Sequence, residues 1–82
     1  MDEKTFHRQL RMAHIRRERG EQPDYWFGYE RGLIRGFRVD QYGTDQEHEF
    51  WLSLTAESDA SLQARGRGYR HGLFVATVEE AA

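Results

Sequence analysis

Apolar positions along this chain recur at three- and four-residue intervals and seldom alternate, so the pattern is helical from end to end. The strongest stretch runs from Tyr25 to Arg38, YWFGYERGLIRGFR. At about 100° per residue, Tyr25, Trp26, Gly28, Tyr29, Gly32, Leu33, Gly36 and Phe37 share half of the circumference. Arg31, Arg35 and Arg38 cluster opposite them. Upstream, Asp2 is placed to cap a basic first helix, within 1–20, with Phe6, Leu10 and Ala13 on one face. Met12 and Ile15 point elsewhere, so this apolar stripe is thin. Gly20 reads as its stop, and Pro23 disfavours helical geometry at Gln22. Asp24 then reads as the N-cap of the central helix, 24–38.

Asp40 to Gly43 reads as a turn. Thr44 and Glu47 are spaced as a capping box and open a third helix, 44–54. His48, Trp51, Leu52 and Thr55 fall on one side of it, Phe50 and Leu54 on another, which implies burial between two neighbours. Ser58 or Asp59 can cap a fourth helix, 58–76, on which Leu62, Tyr69, Leu73 and Ala76 align. Residues 77–82 lack period and cap and read as a frayed tail.

Three glycines four residues apart inside the central helix would each cost about 0.5–1 kcal/mol relative to alanine. Close approach of another backbone offsets such a cost. The natural neighbour is the fourth helix, because its GYRHGL (Gly68 to Leu73) matches GYERGL (Gly28 to Leu33) forty residues later as an internal repeat. The expected fold is an all-α single domain, a small bundle of about four short helices. Helices 1 and 2 form one hairpin and helices 3 and 4 another, with helices 2 and 4 packed through glycine. The expected core is Phe6, Leu10, Tyr29, Leu33, Phe37, Trp51, Leu52, Leu62, Tyr69 and Leu73.

Charge adds a second layer. The formal net charge of the 82 residues is only -2, yet residues 1–38 carry +3 and residues 39–82 carry -5. Every cation except Lys4 and the histidines is arginine, the residue suited to bidentate recognition of carboxylate or phosphate and to stacking on aromatic rings. The chain has no cysteine, so a reducing cytoplasm is the expected setting. No apolar run has the length of a membrane span, and the basic start lacks the apolar middle of a signal peptide.

Three segments together resemble a family of short bacterial proteins carried on phages, plasmids and integrated elements. They are Gly28-Tyr29-Glu30-Arg31-Gly32-Leu33, the run Tyr42-Gly43-Thr44-Asp45-Gln46-Glu47-His48-Glu49-Phe50-Trp51-Leu52, and Arg65-Gly66-Arg67-Gly68-Tyr69-Arg70-His71-Gly72-Leu73. The likeness covers about residues 25–74 and leaves the basic first helix outside. The family carries no assigned activity; it implies a mobile-element context, in which small proteins often disable a host defence machine, anti-CRISPR proteins among them.

The chemistry-bearing residues argue against catalysis. His-Glu-x-x-Leu at His48 lacks the second histidine of the HExxH metal pair. His7 and His14 lie about 10 Å apart along one helix, too far to share a metal. No catalytic residue, metal ligand or cofactor is expected. Binding remains, and the expected contact residues are Arg31, Arg35, Arg38, Arg16, Arg17, Arg67, Arg70 and Trp26, because Arg, Tyr and Trp dominate interface hot spots. The expected partner is a host protein or ribonucleoprotein, blocked in anti-CRISPR fashion. The acidic set Asp45, Glu47, Glu49, Glu57 and Asp59 offers a phosphate-mimicking variant of the same reading. The alternative is a small nucleic-acid-binding accessory protein. It would use Arg8, Arg11, Arg16, Arg17 and Arg19, the Arg31, Arg35 and Arg38 stripe and Arg65, Arg67 and Arg70, with Trp26 or Tyr42 stacking on bases. A homodimer is compatible with either, since a domain this small gains stability by pairing.

Overall fold

The computed structural model describes residues 1–39 and 43–81, with side chains described through 77. It is all-α: α1 (Glu3–Glu18), α2 (Pro23–Arg38), α3 (Asp45–Ser53) followed by a 3₁₀ turn (Leu54–Ala56), and α4 (Ala60–Ala81). The described residues contain no strand. Asp40, Gln41 and Tyr42, on which the expected turn and one stacking ring fall, lie outside them.

Local chemistry explains the boundaries. The Thr5 amide donates to Asp2 Oδ1 at 2.7 Å, the Glu47 amide to Thr44 Oγ1 at 3.1 Å, and the Leu62 amide to Asp59 Oδ1 at 3.0 Å. Each satisfies a helix-start amide that has no intrahelical partner. Between α1 and α2, Gly20 and Gln22 take φ values of +75° and +47°, so the chain reverses there, and Pro23 enters α2 at its first position. Asp24 is therefore not the N-cap. Its carboxylate sits in the first turn and accepts from Arg65 Nε at 2.8 Å, tying the start of α2 to α4. α4 continues to Ala81, beyond the boundary at 76 read from the sequence.

The architecture is organised by α2 and α4, which run parallel at backbone-to-backbone distance. A Cβ built on Gly28 would collide with the Arg65 carbonyl, on Gly32 with the Tyr69 carbonyl, on Gly68 with the Tyr25 carbonyl and on Gly72 with the Tyr29 carbonyl. At Gly36 the obstacle is the Ala76 Cβ, 2.7 Å away. Each helix thus offers its glycines to the other's carbonyl row, and the two GY-x-x-GL segments lie against one another. Gly66 plays the same part toward the 3₁₀ turn, where a Cβ would lie 2.7 Å from the Thr55 amide nitrogen.

The other helices dress this pair. α1 lies antiparallel on α2: Phe6 stacks on Phe37 with centroids 4.3 Å apart, and Tyr29 Oη donates to Gln9 at 3.1 Å. Phe6, Ala13, Tyr29, Leu33 and Ala76 form the main buried cluster. On the other side, Trp51 of α3 stacks on buried Tyr69 at 5.3 Å. α3 itself contains no buried residue, contrary to the expected burial between two neighbours. It is short and lies over one side of α4, and Phe50 is 58% exposed. Of the expected core, Phe6, Tyr29, Leu33 and Tyr69 are buried, whereas Leu10, Phe37, Trp51, Leu52, Leu62 and Leu73 are half-buried. Leu54, Ala13 and Ala76 complete the buried set.

Candidate functional site

Arg35 and Arg38 of the α2 arginine stripe are engaged by neighbouring helices, and Arg31 is exposed. Arg35, with a side chain only 14% exposed, pairs with Asp45 at 3.0 Å and donates to the Thr44 carbonyl at 3.2 Å, so it latches the start of α3. Arg38 pairs with Glu3 at 2.9 Å and lies over the rings of Phe6 and Phe37. Arg31 lies over Phe27, its guanidinium 5.4 Å from the ring centroid. One stripe on the helix therefore sends Arg35 to α3, Arg38 to α1 and Arg31 back onto its own helix, and does not form a continuous docking face. Arg70 is likewise occupied: it donates to the Leu52 carbonyl at 2.9 Å, near the end of α3.

Arg17 turns inward as well. Its Nε lies 2.9 Å from a Glu30 carboxylate oxygen, an ion pair by distance whose N–H is not aligned for a hydrogen bond. Its guanidinium also lies over Phe27. Burial pushes the Glu30 carboxyl above its ordinary range, against the opposing charges of Arg17, His14 and Arg31.

The remaining expected contact residues, Arg16, Trp26 and Arg67, come together at one end of the molecule. Arg16 of α1 lies over the Trp26 indole at 5.3 Å. Trp26 meets Tyr25 edge-on at 4.8 Å. Tyr25 Oη lies 2.6 Å from His71 Nδ1 of α4, and Tyr25 and Arg67 line a shallow depression with Gln22, Pro23 and Ala64. Burial raises the Tyr25 phenol above its usual range, and the nearby Arg67 charge works the other way. The result is a surface of half-buried aromatic rings framed by exposed Arg16, Arg67 and His71. Tyr25 and His71 were absent from the expected contact set. No spacing rule links them, because 46 residues separate them in the chain.

The histidines all have partners. His48 Nδ1 lies 2.7 Å from Tyr69 Oη, His7 lies 3.1 Å from Glu3, and His14 stands between Glu18 and Glu30 at 3.8 Å from each. Among the described residues no group of His, Cys, Asp or Glu is placed to hold a metal ion. The cleft between α2 and α3, lined by Arg31, Arg35, Glu47, His48, Trp51 and Tyr69, encloses about 20 Å³, room for a water and little more. No described helix is long and apolar enough to cross a membrane. Neither a family model nor a curated protein nor a solved structure matches the chain.

Proposed function

We propose that this chain is a non-enzymatic binding protein that docks on a host protein or ribonucleoprotein and blocks it, in the manner of an anti-CRISPR inhibitor from a mobile genetic element. The observation that carries the reading is the convergence of Arg16, Tyr25, Trp26, Arg67 and His71 on one surface. Aromatic rings already immobilised by their neighbours lose little entropy on binding, and exposed guanidinium groups beside them can be desolvated against acidic side chains. The rigid glycine-packed pair α2 and α4 holds the surface in place. The mobile-element context and the inhibitory outcome rest on the resemblance of residues 25–74 alone.

The test is capture by the tagged full chain from a bacterial lysate, with and without nuclease. The same capture is run with the Arg16→Ala/Arg67→Ala variant and with Trp26→Ala. Both arginines are exposed, so the double variant should fold. A stoichiometric host protein or ribonucleoprotein that survives nuclease and is lost in the double variant supports the proposal. Capture of nucleic acid alone, or equal capture by both variants and the parent, refutes it. The alternative reading, a nucleic-acid-binding accessory protein, shares Arg16, Arg67 and Trp26 with this surface and adds the exposed arginines along α1.

A further inference from the structure

Lys4, Arg8, Arg11, Ile15 and Arg19 follow one another along α1 and its C-cap at spacings of four, three, four and four. At about 100° per residue they lie within an arc of roughly 80°. That arc is centred opposite Phe6 and Ala13, the residues α1 buries. All five are exposed, and none of the four cations makes an ion pair among the described residues. The acidic residues of this helix lie off the stripe and are engaged: Asp2 accepts the Thr5 amide, Glu3 pairs with Arg38 and His7, and Glu18 stands by His14. The carboxylates of Asp45, Glu47 and Glu49 belong to α3, which packs chiefly on α4. Exposed Glu21 borders the far end of the stripe, where it lines one depression with Ile15, Arg16 and Arg19.

We infer that this face of α1 binds the phosphate backbone of duplex DNA. Four cations without an ion pair, spread over about 22 Å of helix with Ile15 between Arg11 and Arg19, give this face a positive edge that attracts phosphates. An α-helix fits the major groove of B-form DNA, about 12 Å wide, whereas the major groove of A-form RNA is too narrow for it. The stripe carries no aromatic side chain on which single-stranded bases would stack. It carries no Asn or Gln to read adenine; arginine can also read guanine in that groove, but on phosphate these side chains leave binding largely independent of sequence. Ile15 and Arg19 share a depression with Arg16 of the other surface, so the two are separated by varying Arg8, Arg11 and Arg19 in one set and Arg16 and Arg67 in the other.

The experiment is fluorescence anisotropy with a labelled DNA duplex of arbitrary sequence, titrated with the full chain across a salt series. A second duplex sequence, a duplex RNA and a single strand of the same length are the comparison arms. Log affinity should fall linearly with log salt at a slope of about -3 to -4, and each of Arg8→Ala, Arg11→Ala and Arg19→Ala should reduce that slope by about one. The triple variant should bind at least about tenfold more weakly at moderate salt, with unchanged far-UV circular dichroism. The two DNA sequences should bind within a few-fold of one another and better than the RNA or the single strand. Absence of duplex binding at low salt overturns the inference, as does equal binding by the triple variant or a preference for RNA. If the triple variant instead loses a nuclease-resistant protein from the lysate capture while the parent does not bind DNA, the stripe is a protein contact and the DNA assignment is wrong.

Discussion

Gly32→Ala sets two physical effects against each other, and their sum has a definite sign. Helix propensity favours alanine over glycine by about 1 kcal/mol, so an uncrowded site in the middle of α2 would be stabilised by the change. At Gly32, however, the new methyl would occupy the space of the Tyr69 carbonyl, with the Tyr69 Cα only 2.9 Å from it. Both obstacles are backbone, so no rotamer change relieves them, and α2 and α4 must move apart along the whole ridge. Overpacking a tight core costs about 1–3 kcal/mol and sometimes more, and here separation also loosens the glycine contacts on either side, at Gly28 and Gly36. With the cost at the upper end of that range, a net loss of about 2 kcal/mol remains after the propensity gain. For a domain of this size 1 kcal/mol corresponds to about 4–8 °C, so Tm should fall by about 8–16 °C. Thermal and urea unfolding followed by circular dichroism measure it. Gly32→Leu, with three more carbons to place, should prevent folding. A Gly32→Ala protein that melts at or above the parent temperature would show that propensity governs this site and would refute the close approach of α2 and α4.

Two further outcomes follow from the same contacts. Arg35→Ala should destabilise the fold by about 1–2 kcal/mol by removing a mostly buried guanidinium from both the Thr44 carbonyl and Asp45. Asp45→Ala, at a carboxylate 98% exposed, should cost less than about 0.5 kcal/mol, and equal losses in urea titrations would contradict the latch. Glu30 supplies the pH dependence: its folded-state carboxyl titrates above the ordinary value of 4.5 because of burial. The folded state therefore holds the proton more tightly, and the stability this group contributes is present below 4.5 and lost as pH rises through the raised value. Glu30→Gln should flatten that decline in urea stability measured between about pH 4 and 6, a window set by ordinary carboxyl titration. An unchanged pH profile would discount the burial of Glu30.

Much of this fold is written in short-range chemistry. Asp2, Thr44 and Asp59 cap helices because a carboxylate or hydroxyl three residues before an orphan amide needs no tertiary help to bond it. Gly20 and Pro23 break the chain by their own backbone preferences. The glycines at 28, 32 and 36 announce a close neighbour because nothing within one helix repays their cost, and the second GY-x-x-GL segment points to which neighbour it is. The sequence by itself thus determined four helices, their joints and the pairing of the second with the fourth. Local signals misled at Asp24, where a good capping residue lost the position to Gln22 once Pro23 took the first turn.

Only the tertiary structure decided which charges face outward. An arginine side chain is long enough to reach whichever element lies beside it, so the periodicity that aligns Arg31, Arg35 and Arg38 says nothing about their partners. Arg35 went to α3 and Arg38 to α1 because those helices bring Asp45 and Glu3 within reach. Arg17 likewise went to Glu30. The stripe left open on α1 was visible on its helical wheel, opposite Phe6 and Ala13, but its freedom depends on where every carboxylate of the fold comes to rest. The meeting of Tyr25 with His71 has the same origin. It exists because α2 and α4 run parallel in close register, a long-range arrangement set by glycine packing and by no local spacing of either residue.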